Sequence, residues 1–343
     1  MKLPLQQKRI PVKQIILYGF LPSFLKKIIY RLKGYKIGSN VTIGFGSIII
    51  GKDVIIDDNV EIGFLSIVKS KKVKIGECSS IASLCFIDTD CLNIGKDTTV
   101  RELVSVHGLK TPESGLIIGD RCLIGQSVVL DTTMPIIMGN DCGIGGRSML
   151  FTHSSRLSQL EGFPVKFGHI KLGNNVWISW NSFIRSGVEI GDNVVVQPNV
   201  EVFKSIPPNS IFIGRENRIV PNFFYKPVAS EKKAQIVKRI VNDFVKYMEY
   251  EGLRGIKSNG TVSCSINNYN YRIIVQEDEE VEFLSDDRNI LLSVNGANTV
   301  KGKIRNTDMV LSFEKKTRYG SNLLGEELVD FFSRYGIRFV RTN

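Results

Sequence analysis

The chain has 343 residues, of which 43% are hydrophobic and 23% charged, and a formal net charge of +11. Residues 1–36 carry nine Lys and Arg and no acidic residue, whereas residues 37–224 sum to −1 and residues 225–343 to +3. A charge confined to one arm argues against a nucleic-acid-binding face. Because the chain has neither an apolar run of about twenty residues nor a signal-peptide cleavage site, we expect a cytoplasmic protein.

Residues 1–34 predict a basic helical arm that contains the stretch PSFLKKIIYRLKG. Its apolar residues recur at helical spacing and form one stripe: Phe24, Leu25, Ile28, Ile29 and Leu32. Ser23 is placed as the N-cap and Gly34 as the stop. Two interpretations remain open, a helix that caps the domain after it or a basic amphipathic helix that lies on an anionic membrane.

Residues 35–224 repeat about every six positions. A branched apolar residue is followed by a small or polar one, as in Ile43-Gly44 and Ile50-Gly51, and from Leu172 the period is uninterrupted to Val202. A second apolar residue usually stands two positions earlier: Val41, Val54, Val60, Val73, Val176, Val188 and Val194. Because strand side chains alternate between faces, each such pair should point inward. Short strands joined by turns then stack as coils around one core.

Residues 225–343 have a different composition and predict an α+β domain. Apolar residues from Ile236 to Met248 follow helical spacing, several strand-like runs such as TVSCSI and NILLSV come next, and GEELVDFFSRYG predicts a final helix. The pattern does not indicate a role for this domain.

The six-residue repeat breaks after His153 and resumes near Leu172. His153 falls on the outward parity, at the edge of a long loop, and long loops within regular folds are usually functional. Trp177 lies between the inward residues Val176 and Ile178 and should also face outward. An outward histidine and an outward tryptophan one coil apart predict the wall of a cleft.

These repeats resemble those of the hexapeptide-repeat acyltransferases. The resemblance implies a mainly β fold, a left-handed parallel β-helix with three hexads per coil. The order TH, PV, GNNVWI, SGVEIGDN and IPPN over about residues 116–220 is similar to the galactoside, maltose and xenobiotic O-acetyltransferases. In two places the chain departs from their pattern, with VQPNVEVFKS and GRENR in the region that contacts the coenzyme.

The resemblance implies site residues. His153 is the general base, and the backbone N–H of Trp180 stabilises the oxyanion. Four residues contact acetyl-CoA, the acyl donor: Trp177, Lys204, Asn209 and Arg218. Asp131 binds the acceptor sugar, and the loop residue Arg156 is a further candidate for the acceptor.

The predicted function is a CoA-dependent acyltransferase, which moves acetyl from acetyl-CoA to a sugar hydroxyl of a surface polysaccharide or its precursor. Histidine suits this chemistry because it titrates near neutral pH. In the family, the catalytic histidine of one chain, here His153, meets coenzyme contacts from the neighbouring chain. The resemblance therefore predicts a homotrimer. Two alternatives remain, an N-acyltransferase acting on a nucleotide-linked amino sugar and a non-catalytic β-helical scaffold.

No metal is expected. The six cysteines have no metal-ligand spacing, and the three histidines lie too far apart in the sequence for the zinc site of the β-helical carbonic anhydrases. His107 and His169 are interpreted as structural residues.

Overall fold

The computed structural model describes residues 10–109, 111–154, 165–214, 218–221, 228–250, 253, 255–258, 261–276, 281–284, 286–294, 300–301, 304–333, 335 and 337–342. The chain divides into two compact units, unit 1 from Met1 to Phe224 and unit 2 from Tyr225 to Asn343. Helix α1 spans Val12–Gln14, a π-helical turn spans Ile15–Gly19, and helix α2 spans Ser23–Leu32. Among the described residues, no helix is long and apolar enough to cross a membrane.

The described part of unit 1 forms three parallel sheets, which the chain visits in turn. Sheet 1 contains Lys36–Ile37, Asp53–Ile56, Lys72–Ile75, Cys91–Ile94, Gly115–Ile118, Ile136–Met138, Ile170–Leu172 and Glu189–Ile190. Sheet 2 contains Thr42–Ile43, Glu61–Ile62, Ser80–Ile81, Thr99–Val100, Leu123–Ile124, Gly143–Ile144, Trp177–Ile178, Val195–Val196, Ile211–Ile213 and the antiparallel Arg218–Val220. Sheet 3 contains Ile48–Ile50, Ile67–Lys69, Phe86–Asp88, Ser105–His107, Val129–Asp131, Met149–Phe151, Phe183–Ile184 and Glu201–Val202.

This topology is a parallel β-helix, as the six-residue period predicts. Equivalent residues of successive coils stack in register, as Leu130 does on Leu150, and the predicted inward valines are all buried. The predicted inward position of Ile50 was wrong, because in the first coil Ile49 is fully buried and Ile50 is only half-buried. Ile49 is the residue that pairs with the inward Val68 of the next coil.

Helix α2 covers the first coil of the β-helix, which confirms the capping interpretation. Ser23 Oγ accepts a hydrogen bond from Ile43 N at 3.0 Å, and Tyr30 Oη accepts one from Ile49 N at 2.9 Å. Lys26 is fully buried and donates through Nζ to the carbonyl oxygens of Gly44 and Ser47. Ser23 therefore bonds to the β-helix, and Pro22 holds the N-cap position.

The apolar stripe of α2 faces the opposite way from a core-packing helix. Phe24, Ile28 and Leu32 are exposed, while Lys26 and Tyr30 are buried. The first coil has no preceding coil to satisfy its backbone groups, and buried backbone groups need hydrogen-bond partners. The polar side of α2 supplies them, so Phe24, Ile28 and Leu32 remain outside, while Ile29 is partly buried against the core.

Unit 2 is an α+β domain. Its mixed sheet contains Gly255–Ser258, Thr261–Ile266, Tyr269–Gln276, Arg288–Ser293, Met309–Ser312, Thr317–Tyr319 and Val340–Thr342, and a small pair joins Val281–Glu282 to Val300–Lys301. Helices α3, Ser230–Tyr250, and α4, Leu323–Ser333, share a core with this sheet.

Candidate functional site

The segment that carries His153 leaves the β-helix directly after a strand of sheet 3. Strand Met149–Phe151 ends, and His153–Ser154 then pairs antiparallel with Lys166–Phe167. His153 lies opposite Phe167, and the two rings stack with centroids 5.9 Å apart and planes 16° from parallel. The structure thus places His153 outside the core, as its parity predicts. The segment between these strands, including the candidate Arg156, lies outside the described residues.

Asp131 holds the histidine ring. Its Oδ1 lies 2.9 Å from His153 Nδ1, and Oδ1 also lies 3.1 Å from Thr152 Oγ1 and 3.2 Å from Thr133 N. Asp131 ends a sheet 3 strand one coil before Phe151, so the backbone register places it beside the histidine that leaves the next coil. Because a carboxylate only accepts hydrogen bonds, Nδ1 carries the proton in this contact, so the neutral form of the ring has its lone pair on Nε2.

The expectation that Asp131 binds the acceptor sugar stays a prediction, and the structure adds the burial and the contacts of this carboxylate. Only 2% of its surface is exposed, and its hydrogen bonds are made to the protein. A buried carboxylate that fixes the orientation of an imidazole and stabilises the imidazolium is the arrangement expected for a histidine acting as a base. The contact of Asp131 with Nδ1 holds the ring of His153 in place.

A cleft of about 580 Å³ opens beside His153. Its lining comes from the outer side of sheet 3 and from the segment that leaves it: Phe151, His153, Ser154, Lys166, Phe183, Arg185, Ser186, Glu201 and Phe203. The rings of Phe151 and Phe183 stack at 5.5 Å, and Arg185 Nε lies 2.5 Å from Glu201 Oε1. The cleft therefore combines an aromatic surface with charged groups next to the proposed base.

Sequence reasoning did not single out Arg185, Glu201, Phe183 or Phe203. Their outward parity could have found them, because they flank the inward residues Ile184 and Val202. These two residues lie one and two coils beyond the strand that leads to His153.

Trp177 and Trp180 lie away from this cleft. Trp177 is in sheet 2 and half-buried, and its ring occupies the space left by Gly143, where an added Cβ would lie 2.4 Å from the ring. Trp180 is exposed at the corner between sheets 2 and 3. Trp180 precedes the sheet 3 strand Phe183–Ile184, whereas the segment of His153 leaves the β-helix after the stacked strand Met149–Phe151. Within one chain, Trp180 and His153 therefore lie at opposite ends of sheet 3.

The backbone N–H of Trp180 makes no hydrogen bond to any described residue. At the equivalent place in an earlier coil, Phe64 N donates to Ser83 Oγ of the next coil at 3.1 Å. For Trp180 the register of Trp177 with Val195 puts Pro198 in the place of that serine, and a proline side chain has no acceptor. The N–H is consequently free to donate outward, as the predicted oxyanion contact requires.

The remaining candidates are spread over the last coils. Lys204 is exposed after the final strand of sheet 3, and Arg218 is exposed in the antiparallel strand of sheet 2. Asn209 has φ of 56°, and its Oδ1 accepts from Asn193 Nδ2 at 2.9 Å. The structure thus gives Asn209 a turn-forming role, with its amide oxygen used within the protein. Lys204 directly follows Phe203, which lines the cleft beside His153, whereas Arg218 belongs to sheet 2.

The other two histidines lie in different places relative to the Asp131–His153 pair. His169 Nε2 lies 2.9 Å from Glu189 Oε1 on the surface of sheet 1, and His107 ends a strand in register with Asp131. No group of three or more His, Cys, Asp or Glu that could hold a metal ion occurs among the described residues.

Two families of hexapeptide repeats match the chain. Residues 169–204 match "Bacterial transferase hexapeptide (six repeats)", and residues 115–146 match "Hexapeptide repeat of succinyl-transferase". Both ranges lie in the β-helix around the site. They support the left-handed winding that the resemblance implies.

Curated relatives are acetyltransferases. The chain is 33% identical over 99 residues to the putative colanic acid biosynthesis acetyltransferase WcaF of Escherichia coli, covering 29% of this chain and 54% of the relative. It is 34% identical over 104 residues to the galactoside O-acetyltransferase of the same organism, covering 30% and 42%. The chain thus spans about half the length of the curated relatives it matches.

A solved hexapeptide-repeat acetyltransferase of Vibrio cholerae, in complex with acetyl coenzyme A, is 28% identical, with 37% of this chain and 69% of that chain covered and a TM-score of 0.33. The repeat matches and the curated relatives confirm the resemblance: the chain carries hexapeptide repeats and is similar to hexapeptide-repeat acetyltransferases.

Proposed function

We propose that the chain is a CoA-dependent acyltransferase that moves acetyl from acetyl-CoA to a sugar hydroxyl of a surface polysaccharide or its precursor. The observation that carries the proposal is the contact of buried Asp131 with His153 Nδ1, at 2.9 Å. It leaves Nε2 beside a cleft with room for an acceptor. The curated relatives supply the chemical class, and the WcaF relative supplies the polysaccharide.

In the proposed reaction His153 Nε2 removes the proton of the acceptor hydroxyl as its oxygen attacks the thioester carbonyl carbon. A tetrahedral oxyanion forms and accepts a hydrogen bond from a Trp180 N–H. The carbon–sulfur bond then breaks, and the imidazolium returns its proton to the leaving thiolate. The acetyl ester and free coenzyme A are the products, and His153 regains its starting state.

We further propose that the active unit is a homotrimer with sites shared between chains. In one chain the base and the oxyanion donor lie at opposite ends of sheet 3, on either side of its stacked strands, so they do not converge on one carbonyl. A neighbouring copy could place its own Trp180, at the corner between sheets 2 and 3, beside the His153 cleft. The base and the oxyanion donor would then meet at one carbonyl. The proposed coenzyme contacts Trp177 and Arg218, both in sheet 2, then come from the neighbour as well, whereas Lys204 follows Phe203 of the His153 cleft.

The first experiment measures thiol release from acetyl-CoA with sugars, activated sugars and amino sugars as acceptors. We expect release that depends on a sugar hydroxyl. Preference for an amine would move the chain to N-acylation, and failure to bind acetyl-CoA would leave the scaffold interpretation.

The second experiment tests the shared site. Chains with His153→Ala are mixed under exchange conditions with chains in which Pro198→Ser caps the Trp180 N–H. In random trimers about a quarter of the sites combine an intact His153 with an intact Trp180 corner, so activity should reappear on mixing. A mixture no more active than its components would show that each site belongs to one chain.

A further inference from the structure

Thr133 makes a second contact with the ring that Asp131 holds. Its Oγ1 lies 3.1 Å from His153 Nδ1, the same nitrogen that faces Asp131 Oδ1 at 2.9 Å. The backbone N–H of Thr133 also donates to Asp131 Oδ1, at 3.2 Å. One threonine therefore contacts both members of the Asp131–His153 pair, the ring through its side chain and the carboxylate through its backbone.

The register of sheet 3 puts Thr133 in this place. Asp131 stacks on Phe151 of the next coil, so the residue two positions after Asp131 lies beside the residue two positions after Phe151, which is His153. Thr133 is fully buried, and a hydroxyl oxygen has two lone pairs. One accepts a hydrogen bond from Leu109 N at 3.0 Å. Because Nδ1 carries the proton, the other lone pair accepts from the ring.

The residues that hold Thr133 come from the preceding coil. That coil contains the stretch GLKTPESG at residues 108–115, of which residue 110 lies outside the described residues, and it is longer than the coil before it. Besides the bond from Leu109 N, Thr111 Oγ1 donates to Thr133 O at 2.8 Å. Gly108 lies so close that an added Cβ would be 2.5 Å from Thr133 N. The longer coil thus fixes both the backbone and the hydroxyl of Thr133.

Two acceptors on one N–H restrict the ring more than one acceptor does. Hydrogen bonds tolerate a range of angles, so a ring held by Asp131 alone could turn about its Cβ–Cγ bond. Such a turn moves Nε2, which lies on the far side of the ring from Nδ1. A general base must lie within hydrogen-bond reach of the proton it removes, and a small displacement lowers the rate.

We propose that Thr133 is a positioning residue for the base. Its Oγ1 holds Nδ1 of His153 so that Nε2 stays directed at the acceptor hydroxyl, and the stretch at residues 108–115 holds Thr133. This assignment rests on the proposed function, because it concerns the same reaction. Thr133 acts only through the histidine ring.

The test compares Thr133→Val, which keeps the shape of the side chain and removes its hydroxyl, with Thr133→Ser, which restores the hydroxyl. We expect Thr133→Val to lower kcat about tenfold, the upper range for one hydrogen bond, without changing the KM for acetyl-CoA. Thr133→Ser should retain most of the kcat. Thr132→Val is the matched control, since Thr132 is also fully buried and its Oγ1 donates to Thr89 Oγ1 at 3.1 Å. It should leave kcat unchanged.

The same substitution in a His153→Ala chain separates positioning from a purely structural role. Without the ring Thr133 has nothing to hold, so Thr133→Val should not lower the residual kcat further. An equal loss in both backgrounds would overturn the proposal, as would full kcat in Thr133→Val or no recovery in Thr133→Ser. If the thermal transition shows that Thr133→Val does not fold, Thr133→Ala removes the same hydroxyl without adding a methyl group.

Nuclear magnetic resonance of the unliganded chain keeps a failure of this proposal distinct from a failure of the proposed function. The chain has three histidines, so labelling with 15N-histidine gives three imidazoles, and His153→Ala identifies the signal of His153. We expect its Nδ1 proton to exchange with water faster in Thr133→Val than in the unaltered chain or in Thr132→Val. An unchanged exchange rate would overturn the proposal. Faster exchange in a chain that transfers no acetyl would support the contact and count against the proposed function.

Discussion

Asp131 Oδ1 accepts the hydrogen bond of His153 Nδ1 at 2.9 Å, across two adjacent coils of the β-helix. The contact orients the ring and selects the tautomer with the lone pair on Nε2. An amide in place of this carboxylate could present its NH₂ group to Nδ1 and favour the other tautomer.

Asp131→Asn should therefore lower kcat by about a hundredfold or more, the usual effect of losing the carboxylate behind a catalytic histidine, with little change in the KM for acetyl-CoA. Steady-state kinetics measures both. Glu189→Gln is the matched control, since it also removes a carboxylate that contacts a histidine, at 2.9 Å, and it should leave kcat unchanged. An equal loss in both variants would mean that the effect is not specific to the site.

The free N–H of Trp180 gives a second prediction. Pro198→Ser places a hydroxyl where Ser83 Oγ caps Phe64 N at 3.1 Å in an earlier coil. The capped N–H could no longer meet the oxyanion, and loss of one such donor costs about a hundredfold in kcat. Pro198→Ala removes the proline without adding an acceptor, so it should stay active. Similar kinetics in the two variants would remove Trp180 from the mechanism.

A third prediction concerns acid stability in unit 2. Asp308 is fully buried and accepts hydrogen bonds from Arg305 Nη2 at 2.8 Å and from Asn289 N at 3.0 Å. Burial acts to raise the pKa of Asp308, but these hydrogen bonds outweigh it and hold the pKa below the ordinary value. The native state thus favours the carboxylate. Its stabilisation is complete above the ordinary pKa of about 4 and is lost as the pH falls through the lowered pKa.

Asp308→Asn should accordingly destabilise unit 2 at neutral pH by about 2–3 kcal/mol, the range for hydrogen bonds to a charged group. The difference from the unaltered chain should shrink below about pH 4. Hydrogen exchange of the strand Arg288–Ser293 measures this. The two tryptophans, Trp177 and Trp180, both lie in unit 1, so their fluorescence is an internal control. A difference that grows in acid would contradict the assigned pKa direction.

The β-helix could be predicted from the sequence because its six-residue period repeats one local rule, an inward apolar pair and a turn. The orientation of α2 could not be predicted in the same way. An apolar stripe normally marks the buried side of a helix, but the first coil presents backbone groups that need donors and acceptors. Lys26 and Tyr30 meet that need, so the stripe of Phe24, Ile28 and Leu32 faces outward.

The site was predictable in part. The break in the repeat indicated His153, and the resemblance indicated Asp131 as an acceptor contact, but neither indicated that Asp131 is buried against the His153 ring. Which residue touches the ring depends on the length of the coil between residues 131 and 151, a register that the backbone sets. The contact of Arg185 with Glu201 likewise joins two coils. The separation of Trp180 from His153 follows only once the corners of the coils are assigned.

The central claim, that His153 is the general base of an acyl transfer, is tested most directly by the kcat of His153→Ala with acetyl-CoA and the best acceptor. We predict a fall of about a hundredfold or more, the usual contribution of a positioned base, with an unchanged thermal transition because the side chain lies outside the core. His169→Ala, the control, should retain full kcat. Full turnover by the His153→Ala variant would contradict the account.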